Sequence, residues 1–293
     1  MIKNRYKGLR RIKTQLKQIR FLSNAYYNTM YKIIISEFMQ KEASNDTRLF
    51  RYIEIETINR CNGECSFCPV NKYQDKRPIR IMDMNLFRKI IDDLAQLNYT
   101  GDLALYSNNE PFLDKEIVER AEYARVKLPT AFIHLYTNGS ILDRETFNRI
   151  IPYLSRLVID NYNDDLTLNE TSKWVEELCK ADSELNKKVE IHIRKQHEVL
   201  YTRGGQAPNY SGNIKTPNIT CPHPFDQMVI RPDGKVSLCC NDALGRYTLG
   251  DCNNQSIYDI WNSDIYWKIR KKIRDGRKAL ELCKECDTLP PYK

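Results

Sequence analysis

From about residue 51 the chain alternates short strand-like runs with longer helical ones, and this pattern constrains the fold more than any other feature. Tyr52-Ile53-Glu54-Ile55-Glu56-Thr57 alternates as a strand does, and a helix is predicted from Asp83, with Leu86, Ile90, Ile91 and Leu94 on one face. Leu103-Ala104-Leu105-Tyr106 is the second strand, followed by a helix near 114–126. Phe132-Ile133-His134-Leu135-Tyr136 is the third, with a helix over about 143–153 after it. Leu157-Val158-Ile159 is the fourth, then a helix around 170–181, and Val189-Glu190-Ile191-His192-Ile193 is the fifth. Repeated β-α units predict a parallel sheet with helices outside it, as an open sheet or a partial barrel. Ligands in such folds gather at the C-terminal ends of the strands. A cysteine loop at 61–68, Asn108-Asn109-Glu110, Thr137-Asn138-Gly139 and Asp160 all fall there.

The cysteine loop reads Cys61-Asn62-Gly63-Glu64-Cys65-Ser66-Phe67-Cys68, a C-x3-C-x2-C spacing. Ten cysteines is a high count for a cytoplasmic chain, and cytoplasmic is the expectation, since no apolar run reaches membrane-span length and no secretory signal is seen. In a reducing compartment clustered cysteines hold metal more often than they form disulfides. Three thiolates can hold three irons of a [4Fe–4S] cube and leave one iron without a protein ligand. An open metal position is what catalysis needs. A structural zinc site is the alternative, but zinc ribbons pair C-x2-C with C-x2-C, and no His lies nearby.

This spacing at the end of a first strand resembles the radical SAM superfamily. Phe67 stands where that family has an aromatic before its last cysteine. Ser107-Asn108-Asn109-Glu110-Pro111 lies where the family has a Gly-Gly-Glu-Pro-like motif; Asn replaces both glycines and Glu-Pro is kept. Tyr136-Thr137-Asn138-Gly139 is similar to the family's Thr-Asn-Gly after the third strand. The resemblance covers about residues 51–200. It implies that S-adenosylmethionine (SAM) chelates the open iron, that the cube cleaves its C5′–S bond, and that a 5′-deoxyadenosyl radical takes a hydrogen atom from substrate. It implies Glu110 as acceptor for the SAM amino group. Phe67, Asn109 and Asn138 would lie beside the cofactor, Asp160 at the ribose hydroxyls, and Arg194 at the carboxylate. A plain turn at Asn138-Gly139, a loop cap at Asp160 and a surface ion pair at Arg194 are the plainer readings. A reduced flavodoxin or ferredoxin-type donor is implied as partner.

Beyond about residue 205 the pattern changes. Gln227–Leu238 carries Asp233-Gly234 between two apolar runs, a hairpin signal, and Ser256 caps a helix through Ile257, Ile260 and Trp261. Cys221, Cys239, Cys283 and Cys286 are four thiolates, enough to close a cluster completely. This segment resembles the SPASM/twitch extension of radical SAM enzymes. It lacks the central cysteine run of the full SPASM pattern, so the resemblance is to the shorter twitch form with one auxiliary [4Fe–4S] cluster. Cys240 competes with Cys239 for the ligand role, and a structural zinc in the four thiolates is the alternative. Cys179 reads as a small buried hydrophobe. Cys252 is a candidate for a thiol that returns a hydrogen atom to a substrate radical, against ordinary packing.

The expectation is therefore an α/β chain: a partial (β/α)6 TIM-like barrel over 51–205, a twitch domain of hairpin plus helix over 206–293, and a basic helical arm over 1–50. The arm holds 11 Lys/Arg against 3 Asp/Glu, and the rest holds 35 of each, so all the net charge of +8 lies in the arm. Leu9, Ile12, Leu16 and Ile19 give it one apolar stripe, for packing on the body or for an acidic lipid surface or phosphorylated group. The neutral body argues against nucleic acid. The layout is similar to the aminocyclitol dehydrogenases, which implies alcohol oxidation on a carbohydrate-like substrate with the auxiliary cluster as electron acceptor. Arg203 is the candidate for substrate contact or assisted deprotonation, although a guanidinium needs unusual help to act as a base. A sugar epimerase, a maturase of ribosomally made peptides and, further off, an RNA-modifying enzyme are the alternatives.

Overall fold

Eight strands form one sheet in the order β5-β4-β3-β2-β1-β6-β7-β8 in a computed structural model that describes residues 20–42, 49–214 and 216–289. β1 (Tyr52–Ile55), β2 (Asp102–Ala104), β3 (Phe132–Thr137), β4 (Arg156–Tyr162) and β5 (Val189–Arg194) run parallel in chain order. Period-two alternation sorts their side chains. Ile53, Ile55, Leu103, Leu105, Ile133, Leu135, Leu157 and Ile159 enter the apolar core with the helices. Tyr52, Tyr106, His134, Tyr136 and His192 touch one another in a chain of ring contacts on the opposite, concave face.

The four helices expected between the strands form near where the sequence places them, and their ends have local causes. Helix Met84–Gln96 starts at Asp83, whose carboxylate accepts from the N–H groups of Asn85 and Leu86, and it buries Phe87, Ile90, Ile91 and Leu94. The segment after β2 opens with a 3-10 turn, Pro111–Leu113, so the helix proper is Ile117–Lys127. Helix Arg144–Ile150 gives way to a 3-10 turn containing Pro152, which has no N–H to continue the ladder. Helix Glu170–Ala181 has the predicted bounds, with Asn169 as its cap.

After β5 the chain crosses to the far side of β1. β6 (Gln227–Ile230) pairs parallel with β1, Tyr52 opposite Gln227 and Ile55 opposite Ile230. The sheet thus has six parallel strands, as expected, but the sixth lies beside the first and comes from the segment assigned to the twitch region. β7 (Lys235–Ser237) folds back antiparallel through Asp233-Gly234, with Gly234 at φ +82°, and β8 (Gly250–Asp251) continues the edge. Helix Asp264–Arg274, capped by Ser263, packs here and was not expected from the sequence.

The described half of the basic arm is the helix Arg20–Glu42. Its Phe38 packs edge-on to Phe225 and Trp261 at 5.7 and 5.9 Å between ring centroids. The fully buried Arg270 lies over the rings of Phe38, Trp261 and Tyr266 at 4.7, 4.1 and 4.4 Å. This half of the arm is a packed structural helix. The stripe Leu9, Ile12, Leu16 and Ile19 lies outside the described residues. Among the described residues no helix is long and apolar enough to cross a membrane.

Candidate active site

The first cysteine loop leaves β1 and is held by neighbours at the same end of the sheet. The Gly63 N–H lies 3.2 Å from Cys61 Sγ, and Asn138 Nδ2 lies 3.7 Å from it. Asn138 also donates to Asn62 Oδ1, and Ser66 N–H reaches the Gln196 carbonyl beyond β5. A Cβ on Gly63 would sit 3.2 Å from Cys61 Sγ and 3.9 Å from Cys65 Sγ, so a glycine keeps the space between two thiols clear. Burial pushes the Cys61 and Cys65 thiols up to about 12 and raises Cys68. Thiols so disfavoured as free thiolates need bound metal to ionise. Three soft donors around a cleared space fit an iron–sulfur cluster.

Glu110 is almost fully buried and accepts from Thr137 Oγ1 at 2.7 Å, Asn138 N at 2.8 Å and Phe112 N at 3.2 Å. Burial raises its pKa to about 7 against these three donors. Asn109 turns its Oδ1 to the Ser107 N–H and leaves a buried Nδ2 without a partner. Phe67 is buried with its ring 5.8 Å from Tyr162. Asp160, on the concave face of β4, lies 3.3 Å from His192 Nδ1, and burial raises its pKa. Arg194 ends β5 and pairs with Glu198 at 3.3 Å, half exposed. The site residues expected from sequence at the strand ends thus share one end of the sheet.

Arg203 joins this end to the C-terminal region. It sits at φ +51°, followed by Gly204 and Gly205 at +61° and +76°, a left-handed run that turns the loop sharply. Its Nη1 donates to Asn108 Oδ1 at 3.2 Å, and Asn108 Nδ2 donates to the Cys240 carbonyl at 2.9 Å. Burial raises the Cys68 and Cys240 thiols, and the Arg203 charge pulls against the rise at both. The guanidinium therefore stands between the two cysteine regions.

Cys221, Cys239, Cys283 and Cys286 line one small enclosed cavity with His223, Asn241 and Arg277. Cys240 does not line it; its Sγ points to His223 Nε2 at 3.9 Å. Burial raises the thiols of Cys221, Cys239 and Cys283, the last to about 12, and lowers His223 to about 4. Arg277 is buried, and its Nη2 has no partner. Four soft donors and an orphaned buried cation fit a closed, negatively charged iron–sulfur cluster.

Cys252 lies apart from the residues at the strand ends. It is fully buried among the apolar residues on the helix side of the sheet, with Lys89 and Asp93 as nearby charges. Burial holds its thiol up at about 12.

Sequence reading missed the concave face itself. Tyr106 and Tyr136 stack at 4.8 Å, Tyr52 Oη lies 3.2 Å from His134 Nε2, and Glu54 takes hydrogen bonds from Ser107 Oγ at 2.6 Å and Gln227 Nε2 at 2.8 Å. Glu56 accepts from the Asn108 N–H, and burial raises it to about 7. The signal was present: a parallel sheet covered on both faces reads as a continuous apolar run, whereas Tyr52, Glu54 and Glu56 stand at alternate positions in and just after β1.

An open three-thiol loop, a closed four-thiol cavity and a polar concave sheet define the class: the chain is a radical SAM enzyme with a C-terminal auxiliary iron–sulfur domain. Residues 55–193 match the radical SAM superfamily, and residues 221–287 match SPASM, an iron–sulfur cluster-binding domain. Among curated relatives it is 27% identical, over 83% of this chain and 94% of the relative, to the S-adenosyl-L-methionine-dependent 2-deoxy-scyllo-inosamine dehydrogenase of Niallia circulans. Among solved structures it resembles BtrN in complex with AdoMet and 2-DOIA, with a TM-score of 0.69, 24% identity and coverage of 84% of this chain and 98% of that one. It also resembles Streptococcus suis SuiB bound to the precursor peptide SuiA, with a TM-score of 0.59, 13% identity and coverage of 85% and 72%. Both likenesses bear on the fold. SAM and two [4Fe–4S] clusters, one for SAM and one auxiliary, are the cofactors of this architecture.

Proposed function

We propose that this enzyme oxidises a secondary alcohol of an aminocyclitol, or of a closely similar polyol, to the ketone. When bound, SAM and the first cluster supply the radical that removes hydrogen from the carbinol carbon, and the second cluster accepts the electron left behind. The chain's own residues divide the rest. Cys61, Cys65 and Cys68 hold the first cluster, and Cys221, Cys239, Cys283 and Cys286 the second. Glu110 accepts from the SAM amino group, with Asn109, Asn138 and Phe67 packed around the cofactor. Asp160 takes the ribose hydroxyls and Arg194 the carboxylate.

Arg203 carries the reading. It spans from the Cys68 side of the first loop to Asn108, and Asn108 holds the Cys240 carbonyl. A hydroxylated ligand on the concave face therefore meets a fixed cation between the two cluster regions. Oxidation also releases the hydroxyl proton. Glu56, bonded to the same Asn108 and held near 7, is a buried carboxylate able to take it. The aminocyclitol class rests on the likeness to the Niallia circulans dehydrogenase across nearly its whole length. The burial of Cys252 in the apolar core weighs against the epimerase reading that drew on its thiol. A reduced flavodoxin or ferredoxin-type protein is the proposed electron source. A cytoplasmic location is proposed, and an anionic surface or phosphorylated group remains the proposed partner of the basic arm.

The test is incubation of the reconstituted enzyme with SAM, reductant and 2-deoxy-scyllo-inosamine deuterated at each carbinol carbon in turn. The expected result is ketone and 5′-deoxyadenosine in equal amounts, with deuterium in the nucleoside from one position only. Recovery of an epimer carrying solvent hydrogen, or SAM cleavage indifferent to every polyol offered, would overturn the reading.

A further inference from the structure

Arg277 is a buried cation that pairs with no carboxylate among the described residues. It is 3% exposed. Its Nε donates to the Ile219 carbonyl at 3.1 Å, and its Nη1 to the carbonyls of Thr288 at 2.6 Å and Cys286 at 3.4 Å. The same Nη1 lies 3.8 Å from Cys286 Sγ, and Nη2 is enclosed without a partner. Among the described residues Arg277 has no ion pair, although the buried Arg120 pairs with Asp114 at 2.8 Å and Glu116 at 2.9 Å. An unpaired guanidinium in the interior is strongly unfavourable unless an anion lies beside it. An anionic cluster held in the four-thiol cavity that Arg277 lines would supply that anion.

The first loop is furnished differently. Cys61 Sγ is approached by Gly63 N–H and Asn138 Nδ2, both neutral. Cys286 Sγ is approached by Arg277 and by the neutral Asn241 Nδ2, the latter at 3.9 Å. A guanidinium presents its charge through a rigid planar fork, here fixed by three backbone carbonyls. A fixed positive charge and sulfur-directed donors both favour the more negative, reduced form of an iron–sulfur cluster and raise its potential.

We propose that Arg277 is a positioning residue of the electron-transfer step: through Cys286 it raises the reduction potential of the auxiliary cluster, making that cluster the better acceptor for the electron left on substrate. The proposal rests on the reading of the four-thiol cavity as a [4Fe–4S] site. It concerns the potential of that cluster, not turnover, so a purely structural role for Arg277 leaves the measured quantity unmoved.

The experiment uses the full chain carrying Cys61/Cys65/Cys68→Ala, so that one cluster remains, and titrates it spectroscopically against redox mediators. Arg277→Gln is expected to keep about four irons per chain. Its reduced-to-oxidised ratio at fixed potential should fall at least tenfold, a downward shift of about 59 mV for one electron. Arg277→Lys, which keeps charge without the fork, should fall between the two and serves where the Gln variant does not load. Asn241→Leu, which removes the neutral donor, should shift less than Arg277→Gln. Loaded Arg277→Gln with an unmoved potential, or Arg277→Lys moving as far as Arg277→Gln, overturns the proposal. Zinc or no metal in the triple-alanine parent overturns the cluster reading beneath it, and the metal analysis distinguishes that failure from the first.

Discussion

The two cysteine regions of this chain use the same donor atom in opposite ways. The first spreads three thiols along a loop at the strand ends, with Cys61 and Cys68 part-exposed and only neutral donors on Cys61. The second closes four thiols around an enclosed cavity and buries a cation against one of them. Three ligands leave a metal position for a cofactor, and four leave none. Open chemistry therefore belongs at the first site, and storage of an electron at the second. Arg203 and Asn108 lie between the two, where the proposed function has a substrate held.

The largest way to break this comparison is to remove one thiol from each side. Cys65→Ala should lower SAM cleavage by more than about a hundredfold, since loss of even an outer partner of a metal ligand costs 10–100-fold. Cys283→Ala should spare uncoupled SAM cleavage to within a few-fold and abolish ketone formation. Equal loss of 5′-deoxyadenosine in both variants, measured chromatographically, would erase the distinction between the sites.

A smaller effect is expected at Glu110. Replacing a charge-assisted acceptor by Glu110→Gln should weaken SAM binding about tenfold, equivalent to about 1.4 kcal/mol, while leaving the iron content unchanged. Glu110 is held near 7, so SAM binding by the wild-type enzyme should strengthen as pH rises through 7 and its carboxylate forms. The Gln variant should lose that part of the dependence. Calorimetric titration at pH 6 and 8 decides it.

Glu56 gives a stability signature. Its pKa is raised from 4.5 to about 7 by burial, so between these values the folded chain holds a proton that the unfolded chain has released. Stability then falls as pH rises from 4.5 to 7, by on the order of 3 kcal/mol from this group. Glu56→Gln should flatten that part of the denaturation profile; an unchanged slope would show that Glu56 is charged in the folded protein.

The smallest effect is at Gly63. Gly63→Ala places a methyl 3.2 Å from Cys61 Sγ and should lower iron loading of the first cluster a few-fold without touching the second.

Much of this was legible in the sequence, and the rest was hidden for physical reasons. The strands β1 to β5 and the helix 170–181 followed from the alternating pattern of the chain, which is a local property. The clustering of Cys61, Glu110, Asn138 and Asp160 at one end followed from parallel strand order alone. The crossing of β6 to the far edge of β1 was not legible, because strand pairing beyond neighbours has no local signal. The twitch-like spacing favours Cys239 over Cys240, and the directions of the two side chains differ in the same sense: Cys239 lines the four-thiol cavity and Cys240 turns to His223. Arg277 and His223 were missed because a charged or titratable residue in a C-terminal tail reads as surface until packing buries it. Cys252 shows the same limit in reverse: a lone thiol has no sequence mark for the face it will occupy.

The measurement closest to the central claim is electron paramagnetic resonance of the reduced, reconstituted protein with and without SAM, for wild type and the Cys61/Cys65/Cys68→Ala variant. Two cluster signals are predicted. SAM should perturb only the signal that the variant lacks, and the remaining signal should be blind to SAM. A remaining signal that shifts with SAM, or a wild-type spectrum indifferent to it, would contradict the division of one open site from one closed site.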